Sequence, residues 1–164
     1  MARVWLFGDN VDTDQILPGR YAPYMTTEAA LANYPFIEAR PEFAKEVRPG
    51  DVIVAGKNFG CGSSREYAPR ALKAVGIAAI VAPSFARIFF RNALSLGIPL
   101  FELDLTGLLG DGQELELDLD VPALVLDGET ILLPAPPAWV REVWGGGIVA
   151  YYREHGRLPM VGSV

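Results

Sequence analysis

The chain has 164 residues, 51% of them apolar and 21% charged, enough for one buried core and unlike a disordered or fibrous chain. Its net charge of −6 argues against nucleic acid as the main partner but leaves room for a local cationic pocket that takes an acidic metabolite. The single cysteine, Cys61, excludes an internal disulfide, cannot alone hold a zinc or iron–sulfur site, and suits a reducing, cytoplasmic setting.

The opening "MARVWLFGDNVDTD" is a short apolar patch followed by acids, unlike a signal peptide. No apolar run nears the ~20 residues of a spanning helix, so no membrane role is expected. "RVWLF" predicts a buried strand and "GDNVDTDQILPGRY" a polar loop. Pro, Gly and small residues from Pro18 to Thr27 suggest mobility there. A short helix capped by Thr26 or Thr27 is expected before Pro35.

The middle of the chain has the clearest pattern. "DVIVAG" is a continuous apolar run of strand length after a turn at Pro49–Gly50. "REYAPRALKAVG" predicts a helix with Tyr67, Ala71 and Val75 on one face, stopped by Gly76. "IAAIVA" is a second strand. "SFARIFFRNALSLG" predicts a second helix, with Ser84 as N-cap, Phe85, Ile88 and Phe89 toward the core, and Gly97 as stop. "IPLFEL" is a third strand. This βαβαβ order implies a parallel sheet with right-handed crossovers. From Asp104 the pattern changes: "QELELDLD" alternates, and "LVLDGETILLP" is a hairpin around Asp127–Gly128. Two short terminal helices are separated by Gly145 to Gly147. The expected class is α/β, a parallel core with an additional antiparallel portion. With neither linker nor repeat in sight, residues 1–164 read as a single domain.

The segment "NFGCGSSREYAPRAL" carries most of the candidate chemistry. It lies outside the carboxyl end of a parallel strand, where open α/β sheets place ligands. Gly60 and Gly62 let the backbone approach a ligand, a helix start nearby favours an anion, and Arg65 offers a bidentate contact to a carboxylate. A serine beside such charge, Ser63 or Ser64, would have its alkoxide favoured and could act as acid or base. The plainer alternative is a serine N-cap with Arg65 paired to an exposed acid. The phosphate-loop pattern lacks its lysine, and "GCGSSR" departs from G-x-G-x-x-G, leaving only a loose dinucleotide turn. Asp9, Asp12 and Asp14 read as turn-forming acids rather than a metal site, because Ile16 stands at a ligand position of the calcium-loop pattern. Arg20, beside Tyr21 and Tyr24, is either a surface cation or one that closes over an anionic substrate. Arg87 and Arg91 read as a solvated or partner-facing stripe, His155 as a surface residue, and Cys61 as a small packing residue.

Three spaced motifs, "GDNVDTDQILP", "RPGDVIVAGKNFGCGSSREYAPRAL" and "FARIFFRNALSLGIP", resemble the small subunits of isopropylmalate isomerase and homoaconitase, over nearly the whole length. That family is the swivel domain of the aconitase superfamily made as a separate chain. The resemblance implies a swivelling β/β/α fold and a hydro-lyase active only with a large subunit. It implies no cofactor bound by this chain and a 4Fe-4S cluster in the partner, whose open iron acts as a Lewis acid on the substrate. It implies Ser63 as the catalytic base, Ser64 and Arg65 as holders of substrate carboxylates, and Arg65 as stabiliser of the alkoxide. The loop with Arg20, Tyr21, Ala22, Pro23 and Tyr24 matches the segment that sets the substrate side group. An apolar wall would suit the isopropyl group of isopropylmalate, and a loop cation the extra carboxylate of homocitrate or homoaconitate. The alternative from another class is a non-catalytic module that senses a carboxylate or phosphate.

Overall fold

Val4, Val52, Val54, Ala79 and Val81 alternate along their strands with Trp5, Ile53 and Ile80, and all of them are buried. Both faces of the sheet are therefore covered, which is why these strands read as continuous apolar runs. The structure, a computed structural model, describes residues 1–160. Strands β1 (Ala2–Leu6), β2 (Val52–Val54), β3 (Ala79–Ala82) and β4 (Leu100–Glu102) pair in parallel. On the other edge of β1 come β5 (Glu114–Asp118), β6 (Ala123–Leu126) and β7 (Glu129–Leu132), all antiparallel. The order β4-β3-β2-β1-β5-β6-β7 makes one seven-stranded sheet. The parallel core and antiparallel portion are those expected, with β1 added as a fourth parallel strand. Asp127 and Gly128 have φ of 51° and 82°, the left-handed pair that a two-residue hairpin of matching twist needs.

One face is covered by helices α1 (Thr13–Ile16), α2 (Glu28–Leu31), α3 (Pro41–Glu46), α4 (Tyr67–Ala74) and α5 (Arg87–Ser95). Ile16, Phe43, Leu72, Phe89 and Ala93 pack there against Trp5, Ile53 and Ile80. On the other face Leu115, Leu124 and Leu133 of the antiparallel portion pack with Val52, Val54 and Val81, joined by Phe101 and Trp144. Helices α6 (Ala138–Glu142) and α7 (Gly147–His155) close the described chain. The buried carboxylate of Asp51 ties the start of β2 to β1 by accepting hydrogen bonds from the Arg3 N–H, the Trp5 indole and the Arg48 N–H. Trp5 lies between two guanidinium groups, with Arg3 4.2 Å and Arg40 4.6 Å from its ring centre.

Several local expectations are corrected. The polar loop holds α1, because Asp12 and Gln15 form a reciprocal capping box, and a 3-10 helix spans Gly19–Tyr24. Helix α3, started by Pro41, was missed. Ser84 does not cap α5; its Oγ accepts the Asn58 N–H at 2.8 Å, and Ala86 takes the cap position without a side-chain bond. Ile88 is 51% exposed and Tyr67 45% exposed, so neither belongs to the core.

Arg40, at the start of α3, pairs with Asp111 in the loop before β5, and both hydrogen-bond the Leu6 backbone at the end of β1. Partial burial pushes the Asp111 carboxyl up. Hydrogen bonds from Arg40 and the Leu6 N–H push it down and win, so it sits below the ordinary carboxylate range. A lowered folded pKa stabilises above the unfolded value and is lost as pH falls through the folded one. Thermal melts of Asp111→Asn should therefore show a shallower loss of stability below about pH 4 than the unsubstituted chain. Identical acid limbs would remove Asp111 from the account.

Candidate functional site

The chain leaving β1 and the chain leaving β2 continue side by side past the sheet. The Gly60 N–H donates to the Val11 carbonyl (2.7 Å) and the Thr13 N–H to the Cys61 carbonyl (2.8 Å). Asp12 and Cys61 form a parallel bridge, and Phe59 bridges to Phe85 in the loop after β3. The three sequence motifs thus meet at the carboxyl ends of β1, β2 and β3. Gly60 is required here twice over. Its φ is 82°, and an added Cβ would lie 2.2 Å from the Phe89 ring.

Ser63, Ser64 and Arg65 stand in the loop after this paired segment. Neither serine caps a helix, since α4 begins at Tyr67 with Glu66 at its cap and no side-chain bond there. The plainer reading of the serines as caps therefore fails, while its other half is observed: Arg65 Nη1 lies 2.9 Å from Asp14 Oδ1. Both serines are exposed and Arg65 is partly exposed. Ser63 is held from below by buried Thr13, whose hydroxyl donates to the Ser63 carbonyl at 2.9 Å. The Thr13 and Ser63 hydroxyl oxygens are 3.4 Å apart. The Arg65 N–H donates to the same Ser63 carbonyl at 2.8 Å, so the turn that presents the serine also aims the arginine.

An open cleft of about 570 Å³ lies beside this turn. Leu17, Gly19, Ala22 and Met25 line it from one segment, and Ser64, Arg65, Glu66 and Tyr67 from the other, so one carboxylate and one guanidinium share the cleft. Of the loop residues singled out in the sequence, Ala22 faces this cleft. Tyr21 stacks on Tyr34 with ring centres 5.2 Å apart, Pro23 is exposed, and Tyr24 is 65% exposed. Arg20 is also outside the lining. It pairs with Glu38, and the Tyr21 hydroxyl and the Glu38 charge hold its guanidinium protonated above the ordinary value.

Asp9, Asp12 and Asp14 do not gather. Asp9 accepts the Lys57 N–H, Asp12 caps α1, and Asp14 faces Arg65. Among the described residues no three His, Cys, Asp or Glu side chains are placed to hold a metal ion. His155 donates its Nδ1–H to the Tyr151 carbonyl on α7 at 3.0 Å, away from the corner. A larger groove of about 940 Å³ lies at the opposite end of the parallel strands, but its charged lining is Glu116, Asp118 and Asp120, which would repel an acidic ligand. Thr13 and Asp14 are the site neighbours that sequence reasoning missed. The available signal was the "DTD" triplet beside a capping box, weighed only as turn or metal chemistry.

Residues 8–104 match the aconitase C-terminal domain family. The chain is 53% identical to "3-isopropylmalate dehydratase small subunit 1" of Deinococcus radiodurans, over 97% of this chain and 90% of that protein. It is equally 53% identical to the "Homoaconitase small subunit" of Thermus thermophilus, over 97% of this chain and 99% of that one. The crystal structure of 3-isopropylmalate dehydratase (leuD) from Methanocaldococcus jannaschii superposes with a TM-score of 0.83 at 42% identity, covering 94% of this chain and 93% of that one. The chain belongs to the aconitase C-terminal domain family, among the small subunits of 3-isopropylmalate dehydratase and homoaconitase. This membership sets it with enzyme subunits rather than with regulatory sensors. Among the described residues no helix is long and apolar enough to cross a membrane.

Proposed function

We propose that the chain is the small subunit of a heteromeric, cytoplasmic hydro-lyase. It isomerises a 2-hydroxy di- or tricarboxylic acid by dehydration and rehydration, with a substrate of the isopropylmalate or homoaconitate type. The described residues, 1–160, act as one domain, and the last four of the expected 1–164 lie outside them. The observation that carries this reading is the exposed Ser63–Ser64–Arg65 turn, whose Ser64 and Arg65 line a cleft shared with Leu17, Ala22 and Met25, with Arg65 paired to the exposed carboxylate of Asp14.

In this reading Ser64 and the Arg65 fork bind a substrate carboxylate, which takes the place of Asp14 at the guanidinium. Ser63 Oγ takes the proton alpha to a carboxylate and returns it when water re-adds at the neighbouring carbon. A serine of ordinary acidity is a poor base, and only a cationic corner closed to water makes its alkoxide usable. Both serines are exposed in this chain alone, and in this reading the closing surface comes from another chain, the large subunit. The described residues gather no ligand set for an iron–sulfur cluster, and the resemblance assigns the 4Fe-4S cluster to that partner. When bound in that partner, the cluster would supply a Lewis acid for the substrate hydroxyl.

The cleft wall of Leu17, Ala22 and Met25 suits an isopropyl group. Arg20, at the start of the same loop, would serve an added carboxylate on leaving Glu38. The purified chain should show no turnover alone and should gain it on mixing with its cognate large subunit. The ratio of kcat/KM for 3-isopropylmalate and homoisocitrate then assigns the side group. Tight binding of either diacid by the isolated chain, with no turnover from the complex, would instead identify a sensor.

A further inference from the structure

Gly19 opens the 3-10 helix Gly19–Tyr24, and it is a glycine without the usual backbone reason. Its φ is outside the left-handed region that Gly60, Gly62 and Gly76 occupy, so an alanine could adopt its conformation. What an alanine could not do is keep its neighbour in place. A Cβ built on Gly19 would lie 2.0 Å from Arg65 Nη1, 2.7 Å from Cζ and 2.9 Å from Nη2. Contact with all three atoms means that the guanidinium lies against the Gly19 Cα, while Asp14 holds the same Nη1 at 2.9 Å.

The backbone around Gly19 is the less movable of the two partners. Leu17, two residues earlier, is 2% exposed and packs with Leu31 and Ala71, and Met25 and Tyr34 pack onto the same cluster. Pro18 restricts the dihedral freedom immediately before Gly19. Arg65 is a long side chain, 40% exposed, with room to swing. A methyl group at position 19 would therefore displace the arginine, not the loop.

We propose that Gly19 is a positioning residue: its missing side chain is the seat of the Arg65 guanidinium, so the loop that faces the substrate side group also aims the carboxylate clamp. This rests on the reading of Arg65 as that clamp. Gly19 touches no reacting atom and acts only through the arginine.

The test is Gly19→Ala in the chain assembled with its cognate large subunit, assayed with 3-isopropylmalate and with homoisocitrate. The thermal midpoint should hold or rise slightly, because alanine lowers unfolded-state entropy at a compatible φ. kcat/KM for the better substrate should fall about 10²-fold, the cost of an ångström-scale misplacement. A crystal structure of the variant should show the guanidinium moved with residues 17–25 in place. In an Arg65→Lys background the same change should cost less than about twofold, since an ammonium on a thin stem has no planar group to displace. Wild-type kcat/KM in Gly19→Ala, an equal loss in both backgrounds, or an unmoved guanidinium overturns the proposal. If Arg65→Lys is harmful while Gly19→Ala is silent, the clamp stands and its seat falls. If Arg65→Lys is itself silent, the clamp falls and takes the seat with it.

Discussion

In the assembled enzyme Ser63→Ala should lower kcat by about 10³-fold while KM stays within about threefold, the pattern of a lost general base. The structural reason for the split is the exposure of Ser63. Its hydroxyl lies 3.4 Å from Thr13 Oγ1, which already donates to the Ser63 carbonyl. Removing one oxygen therefore leaves the turn, the cleft walls and Arg65 as they were. The isolated variant should melt with the parent chain. Steady-state kinetics on the reconstituted pair decide the matter, and full activity without the hydroxyl would exclude Ser63 as base.

Arg65→Lys should lower kcat/KM by about 10²-fold, because an ammonium is a point charge where the site needs a planar fork. The geometry makes this more than a general rule. The Nη end of Arg65 lies against Gly19, with Nη1 on Asp14, and Arg65 lines the cleft. A lysine ammonium cannot present two parallel N–H groups to one carboxylate. Both kcat and KM should worsen, since the guanidinium is read here as holding the ground-state carboxylate and the charge that develops in the transition state. Kinetics equal to the parent would remove Arg65 from carboxylate binding. Comparing the two variants separates the roles, as Ser63→Ala should spare KM and Arg65→Lys should not.

Much of the architecture was readable because its signals are local. Apolar runs such as "DVIVAG" and "IAAIVA" mark strands buried on both faces, and Asp127–Gly128 marks a turn whose handedness only such residues adopt readily. Thr27 capped α2 as its position suggested, accepting the Ala30 N–H. Errors arose where a polar side chain had a choice of partner. Ser84 stood where a cap belongs, yet the parallel bridge Phe59–Phe85 brought the Asn58 N–H within its reach, and the cap went unfilled. Asp14 looked like one of three turn acids until the fold set it against Arg65.

Residue order alone singled out the candidate turn, with its glycines, hydroxyls and cation in seven consecutive positions from Gly60 to Glu66. The environment of that turn came from pairing across the chain. The register Val4 to Val52 carries the two strands past the sheet together, so that Asp12 bridges Cys61, Thr13 supports Ser63, and Gly19 and Asp14 flank Arg65. Such contacts join residues some fifty positions apart and leave no periodic or turn signal in either segment. Local chemistry can be read along a strand of text, but the neighbours that orient a side chain are chosen by strand register and packing.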